Sequence, residues 1–339
     1  MAHNLLSSLS RMAAFRSPRP FFLLPAAGVL LFALAGAGGS QTVPGGAVPD
    51  EPAAEFTDSF SVGYVLVPVV VRDGARYVQG LDRGDFVLRV DGKAAAFESF
   101  ESRADAPASL VLLQDLSGSM DSGERLIWSR SAASFFLDQA AAGDEFAIAT
   151  FSDGEQRIEV PFTQDLSALR EAVATWKPWG KTALHDAVAH MPEVSGSGRN
   201  PKRFALLITD GVDNSSSIAP DQARELVRAA QVPVYVLGFD SGNPYSLNEE
   251  GKKVYRYADV LNLLAATSGG RYFSISSTEE LNLALAAIRD DLRHQYVLGF
   301  ATGDGADRFR RLEIQVPGKR AVLFRRGYTG PPPAKSGGR

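Results

Sequence analysis

Between residues 105 and 293, short apolar runs alternate with stretches whose apolar positions recur every three to four residues. Leu110-Val111-Leu112-Leu113 is apolar without alternation, the pattern of a strand buried on both faces of a parallel sheet. Similar runs predict strands over 145–151, 204–209, 232–239 and 271–275. Helical spacing predicts helices over 121–140, 166–176, 182–192, 220–230, 257–267 and 278–293. In the first of these, Leu126, Ile127, Ala133, Phe136 and Leu137 are expected on one inward face. Strands that alternate with helices predict an α/β fold, a doubly wound and mostly parallel sheet with helices on both faces.

The flanks follow a different pattern. Residues 64–72, 86–90 and 95–100 read as short strands, with Asp73-Gly74 and Asp91-Gly92 as turns between them. Residues 294–300, 311–316 and 321–325 repeat the pattern at the far end. Neither group is large enough to bury a good core alone, and separate pieces would leave long sheet edges unpaired. The expectation is one small β-sandwich built from 56–104 and 294–328, with the α/β domain 105–293 inserted. Residues 241–256 read as an insertion after a strand, and 329–339 as a disordered Pro/Gly tail.

Residues 1–37 carry Arg11, Arg16 and Arg19, then an apolar stretch from Phe21 to Ala35, then the small-x-small Ala35-Gly36-Ala37. This is the three-part form of a secretory signal peptide, with an uncleaved anchor as the alternative. It predicts a secreted or periplasmic protein with no integral span once the signal is removed. Residues 38–55, rich in Gly, Pro and Ala, read as a linker. Without the leader, 32 Lys and Arg face 39 Asp and Glu, a balance of −7 that argues against nucleic acid as the main partner. The chain has no Cys, so disulfides, thiolate zinc sites and thiol catalysis are excluded.

The candidate chemistry lies where the first buried strand ends. Asp115, Ser117 and Ser119 offer one carboxylate and two hydroxyls at i, i+2 and i+4, hard oxygen donors of the kind Mg²⁺, Mn²⁺ or Ca²⁺ prefers. Taken alone, an Asp-x-Ser at a strand end is more often a helix N-cap than a metal ligand. Two further segments bear on the choice: Lys181-Thr182-Ala183-Leu184 follows a Gly and opens a helix, and Leu206-Leu207-Ile208-Thr209-Asp210-Gly211 is a second buried strand that ends in Asp-Gly.

In kind and order these three segments resemble the metal-ion-dependent adhesion site of von Willebrand factor type A domains. The resemblance covers about residues 105–293, and Asp85-Phe86 with Arg326-Gly327-Tyr328 resembles the flanks of exported bacterial relatives of that family. It implies that Asp115, Ser117, Ser119, Thr182 and Asp210 hold a divalent cation, Mg²⁺ first. It also implies a coordination place left for an Asp or Glu carboxylate of a protein partner, hence a non-enzymatic binding or adhesion module. Trp176, Trp179 and Asp213 are candidates for the rim of that contact. Two alternatives stay open: a metal-dependent hydrolase or phosphatase, and a structural envelope module whose metal only stiffens the loops. No nucleophile elbow, P-loop or dinucleotide fingerprint supports the enzyme readings. The oligomeric state is left open.

Overall fold

The computed structural model describes residues 63–219, 222, 225, 232–241, 257–318 and 320–334. The leader, the linker, the helix expected over 220–230 and the insertion at 241–256 fall outside the described residues, wholly or for the most part.

The central sheet holds β6 (Ala108–Asp115), β7 (Glu145–Ser152), β8 (Glu155–Thr163), β9 (Lys202–Thr209), β10 (Val234–Phe239) and β11 (Tyr272–Ile275) in the order β11-β10-β9-β6-β7-β8. All neighbours are parallel except β7 and β8. Successive side chains of the central strand point to opposite faces, and each face is covered. Leu110 and Leu112 pack on one side with α1 (Arg125–Asp138), α2 (Leu166–Thr175) and α5 (Thr278–Arg293). Val111 and Leu113 pack on the other with α3 (Leu184–Gly196) and α4 (Tyr257–Ser268). This is the doubly wound α/β architecture expected from the alternation.

Three local expectations are corrected. The antiparallel edge strand β8 was not anticipated. Its signal was Asp153-Gly154, the turn of a tight hairpin, followed by Ile158, Val160 and Phe162 at a spacing of two. Helix α1 begins four residues later than expected, after a 3₁₀ turn at Gly118–Asp121, and Ile127 faces solvent. The buried stripe runs instead through Trp128, Ala132 and Phe136, with Ser129, Ala133 and Leu137 beside it. Residues 329–334 are ordered: Gly303 N donates to Pro332 O at 2.7 Å and Ala334 N to Ala301 O at 2.9 Å.

Strands from the two flanks pair with each other. One sheet contains β1 (Tyr64–Asp73), β2 (Arg76–Tyr77), β5 (Ser99–Glu101), β12 (Gln295–Ala301) and β14 (Ala321–Phe324). Within it β1 runs antiparallel to β12 from Tyr64↔Ala301 to Val70↔Gln295. The second sheet contains β3 (Val87–Val90), β4 (Lys93–Ala94), β13 (Arg308–Gln315) and β15 (Gly327–Gly330). Alternate residues of β1 (Val65, Val67, Val69 and Val71) share one apolar cluster with Leu88, Phe300, Leu312 and Tyr328.

The flanking sheets abut the α/β unit at Gly269 and at Asp291, among other points. Gly269, at φ +86°, lies so close to the chain after β14 that a Cβ there would sit 2.5 Å from Arg325 N. Asp291 of α5 is fully buried and accepts from Arg72 Nη2 of β1 at 2.5 Å, Tyr77 Oη of β2 at 2.7 Å and Arg271 Nη1 at 3.1 Å. The Tyr77 ring stacks on His294 with centroids 4.3 Å apart. Burial and its bond to Asp291 raise the Tyr77 phenol, which keeps it a neutral donor.

Candidate metal centre

The C-terminal ends of β6 and β9 and the loop before α3 meet at one end of the central sheet, where open α/β sheets bind ligands. Asp115 closes β6 and is fully buried. Its Oδ1 accepts from Ser117 N at 2.8 Å and its Oδ2 from Thr209 Oγ1 at 2.6 Å. The first bond curls the chain back over the carboxylate, and the 3₁₀ turn that follows sets Ser117 Oγ 3.1 Å from Ser119 Oγ. The second bond ties the first loop to the third.

Gly118 joins the first loop to the second. Its N–H donates to Gly180 O at 3.0 Å, and a Cβ at this position would lie 3.3 Å from that oxygen. Gly180 itself is at φ +68°. Thr182, two residues on, is buried; its N–H donates to Asn214 Oδ1 at 2.9 Å and its carbonyl accepts from Asn214 N and Ser215 N at 3.0 Å. The third loop turns at Gly211, φ +80°, after Asp210, whose Oδ1 accepts from Val212 N at 3.2 Å. All three segments singled out in the sequence are thus hydrogen-bonded to one another.

The electrostatics follow from burial. The Asp115 carboxyl is pushed up to about 7, chiefly because its charged form is desolvated. Hydrogen bonds from Thr209 and Ser117 oppose this, and the nearby Asp210 charge adds to the rise. Arg125, in the first turn of α1, supplies positive charge at the third loop. Its Nη1 donates to Asp210 Oδ2 and to Ser119 O, both at 3.0 Å, and its Nε donates to Asp240 Oδ2 at 3.1 Å. The guanidinium thus pairs with Asp210 and Asp240, while Asp115 is partnered only by neutral groups. Hard oxygen donors around excess negative charge fit a divalent cation. Among the described residues no three or more His, Asp or Glu gather at one point. A cation here would rely on the hydroxyls as well as the two carboxylates.

The rim candidates separate. Trp176 is only 3% exposed and belongs to the core beneath α1 and α2, a correction to its expected place at the rim. The ring is buried because Trp176 C-caps α2 on the side that packs against the sheet. Trp179 is 46% exposed, and its N–H donates to Leu116 O at 2.7 Å, which places it beside the first loop. The Asp213 carboxylate is engaged inside the loop: it accepts from His185 N at 3.0 Å and Ser216 Oγ at 2.5 Å, with His185 Nδ1 at 3.1 Å. It holds the entry to α3. Sequence reasoning missed Arg125, Thr209 and Asp240. Of these, Asp240 alone carried a local signal, as an acid directly after a buried strand.

Residues 110–213 match the family model of the von Willebrand factor type A domain. This stretch is a von Willebrand factor type A domain. The domain-bearing chain is similar to a UPF0353 protein of Mycolicibacterium vanbaalenii, 26% identical over 216 residues, or 58% of this chain and 63% of that one. It thus spans under two thirds of that relative's length. The Bacillus subtilis protein YwmC is 25% identical over 203 residues, 53% of this chain and 82% of its own. Among solved structures, a von Willebrand factor type A protein of Catenulispora acidiphila superposes with a TM-score of 0.47 at 13% identity, over 71% of this chain and 73% of that one. Among the described residues, no helix is long and apolar enough to cross a membrane.

Proposed function

We propose that the chain is an exported, non-enzymatic binding module that captures an acidic group of a protein partner through a divalent cation, Mg²⁺ first. The observation that carries this reading is the mutual hydrogen bonding of three loops that present Asp115, Ser117, Ser119, Thr182 and Asp210 at one end of the sheet. These five residues would hold the cation. Bound there, it would act as an electrophile that accepts a partner carboxylate. The chain's own part is to keep the site rigid: Thr209 and Ser117 N orient Asp115, Gly118 clamps the second loop, and Asn214 fixes the backbone of Thr182. Two acidic side chains and three neutral ones leave the cation formally neutralised yet still attractive to an anion. Trp179 is the exposed ring next to this surface and would serve as an apolar anchor. Export rests on the leader pattern of residues 1–37. In this reading the flanks 56–104 and 294–328 form a carrier for the inserted domain 105–293.

A partner carboxylate in such a partly shielded site is worth about 2–5 kcal/mol, roughly 30-fold or more in affinity. The test is capture of envelope proteins by the immobilised chain, with Mg²⁺ and with chelator, for wild type, Thr182→Ala and Trp179→Ala. Chelator and Thr182→Ala should weaken capture to the same extent and should not add, whereas Trp179→Ala should weaken it independently. Full capture by Thr182→Ala in chelator would move the binding surface away from these loops.

A further inference from the structure

The opposite end of the central sheet holds a cavity of about 290 Å³, under the starts of β6, β7 and β9 and against the last turns of α1 and α5. Its walls are largely apolar and include Leu110, Phe136, Phe146, Phe204 and Leu292. Lys202, the first residue of β9, also lines it and is only 2% exposed. Its Nζ donates to Arg103 O at 2.6 Å, which occupies one of its three protons. Among the described residues no carboxylate lies within 4.0 Å of it.

The acids that face Lys202 are committed elsewhere or stand off. Glu101 forks onto Arg103 at 3.0 and 3.2 Å, and Asp144 spends its two oxygens on Ala108 N and Ala141 N, each at 2.8 Å. Asp105 lines the cavity and acts on Lys202 through charge alone. An ammonium withdrawn from water beside apolar walls is costly unless an anion meets it. Burial accordingly holds its pKa below the ordinary lysine range. Arg293, exposed, also lines the cavity and adds positive charge at its outer side.

The geometry points to a binding site for a medium-chain amphipathic carboxylate, with the chain among Phe136, Phe146 and Phe204 and the carboxylate on Lys202. The size agrees: a cavity of ~150 Å³ holds benzene, so about 290 Å³ suits an aliphatic tail of roughly eight to ten carbons. The site lies at the far end of β6 from Asp115 and shares no residue with the metal loops.

The test is titration calorimetry of the full chain with octanoate and with 1-octanol, for wild type, Lys202→Met and Ala141→Trp. Ala141 is an exposed loop residue at the wall, so a Trp there should crowd the cavity while Lys202 and the core side chains stay unsubstituted. Wild type should bind octanoate saturably at one site and at least tenfold more tightly than octanol. Lys202→Met should remove that preference, and Ala141→Trp should weaken both ligands. No saturable octanoate binding, or equal binding of octanoate and octanol, overturns the proposal. So does full octanoate binding by Ala141→Trp, which decides the matter even if Lys202→Met fails to fold.

Discussion

In chelator, raising the pH should destabilise the protein through Asp115, and Asp115→Asn should remove that loss. The carboxyl is shifted from 3.8 to about 7 by burial. The folded state therefore binds this proton more tightly than the unfolded state. Between these two values the native protein carries more protons, so stability falls as pH rises. The loss is absent below the unfolded value and complete above the folded one. At 1.36 kcal/mol per unit, the step from pH 4.5 to pH 8 costs about 3 kcal/mol. Other groups slope the opposite way: Asp91, Glu101 and Glu280 are held below the usual carboxylate range by hydrogen bonds, chiefly from Arg311, Arg103 and Ser276. Comparing wild type with Asp115→Asn cancels them. The assay is urea unfolding of both proteins at pH 4.5 and pH 8 in chelator. Wild type should lose about 3 kcal/mol more than the variant over that step, and Mg²⁺ should abolish the difference. Parallel pH profiles for the two proteins would refute the burial argument.

Asp291→Ala should cost about 3 kcal/mol in the same unfolding assay, because it strands two arginines. Arg72 and Arg271 are 26% and 32% exposed, which keeps the cost at the lower end. Asp291→Asn, which retains an acceptor, should cost less. Arg125→Gln should tighten Mg²⁺ binding at least about tenfold, or ~1.4 kcal/mol, since the guanidinium beside Asp210 repels an incoming cation. Unchanged affinity by calorimetry would show that Arg125 does not compete for that carboxylate.

The parts of the fold legible in the sequence are those with a strong local period. Leu110 to Leu113 is apolar because β6 is covered on both faces, and Asp-Gly after β9 marks its abrupt end. Trp176 and Trp179 are three residues apart in a polar-looking loop, yet one is core and the other surface. That difference is set by the end of α2, which no local pattern fixes. In β8 the alternation was present but interrupted by Pro161, which an edge strand tolerates and a central one does not. At the candidate site, the carboxylates and hydroxyls could be picked out by residue type and order. Arg125 and Thr209 could not: Thr209 reads as the last residue of a strand, and Arg125 as an ordinary helix residue. Only tertiary contact across 94 positions brings Thr209 to Asp115, and across 85 positions Arg125 to Asp210.

The metal assignment gives these loops a divalent cation. Its most direct test is titration calorimetry of Mg²⁺ into wild type and Asp115→Ala, with circular dichroism to establish that both are folded. Wild type should show one saturable site and the folded variant none. Equal Mg²⁺ binding by the two proteins, or none by wild type, would contradict the assignment.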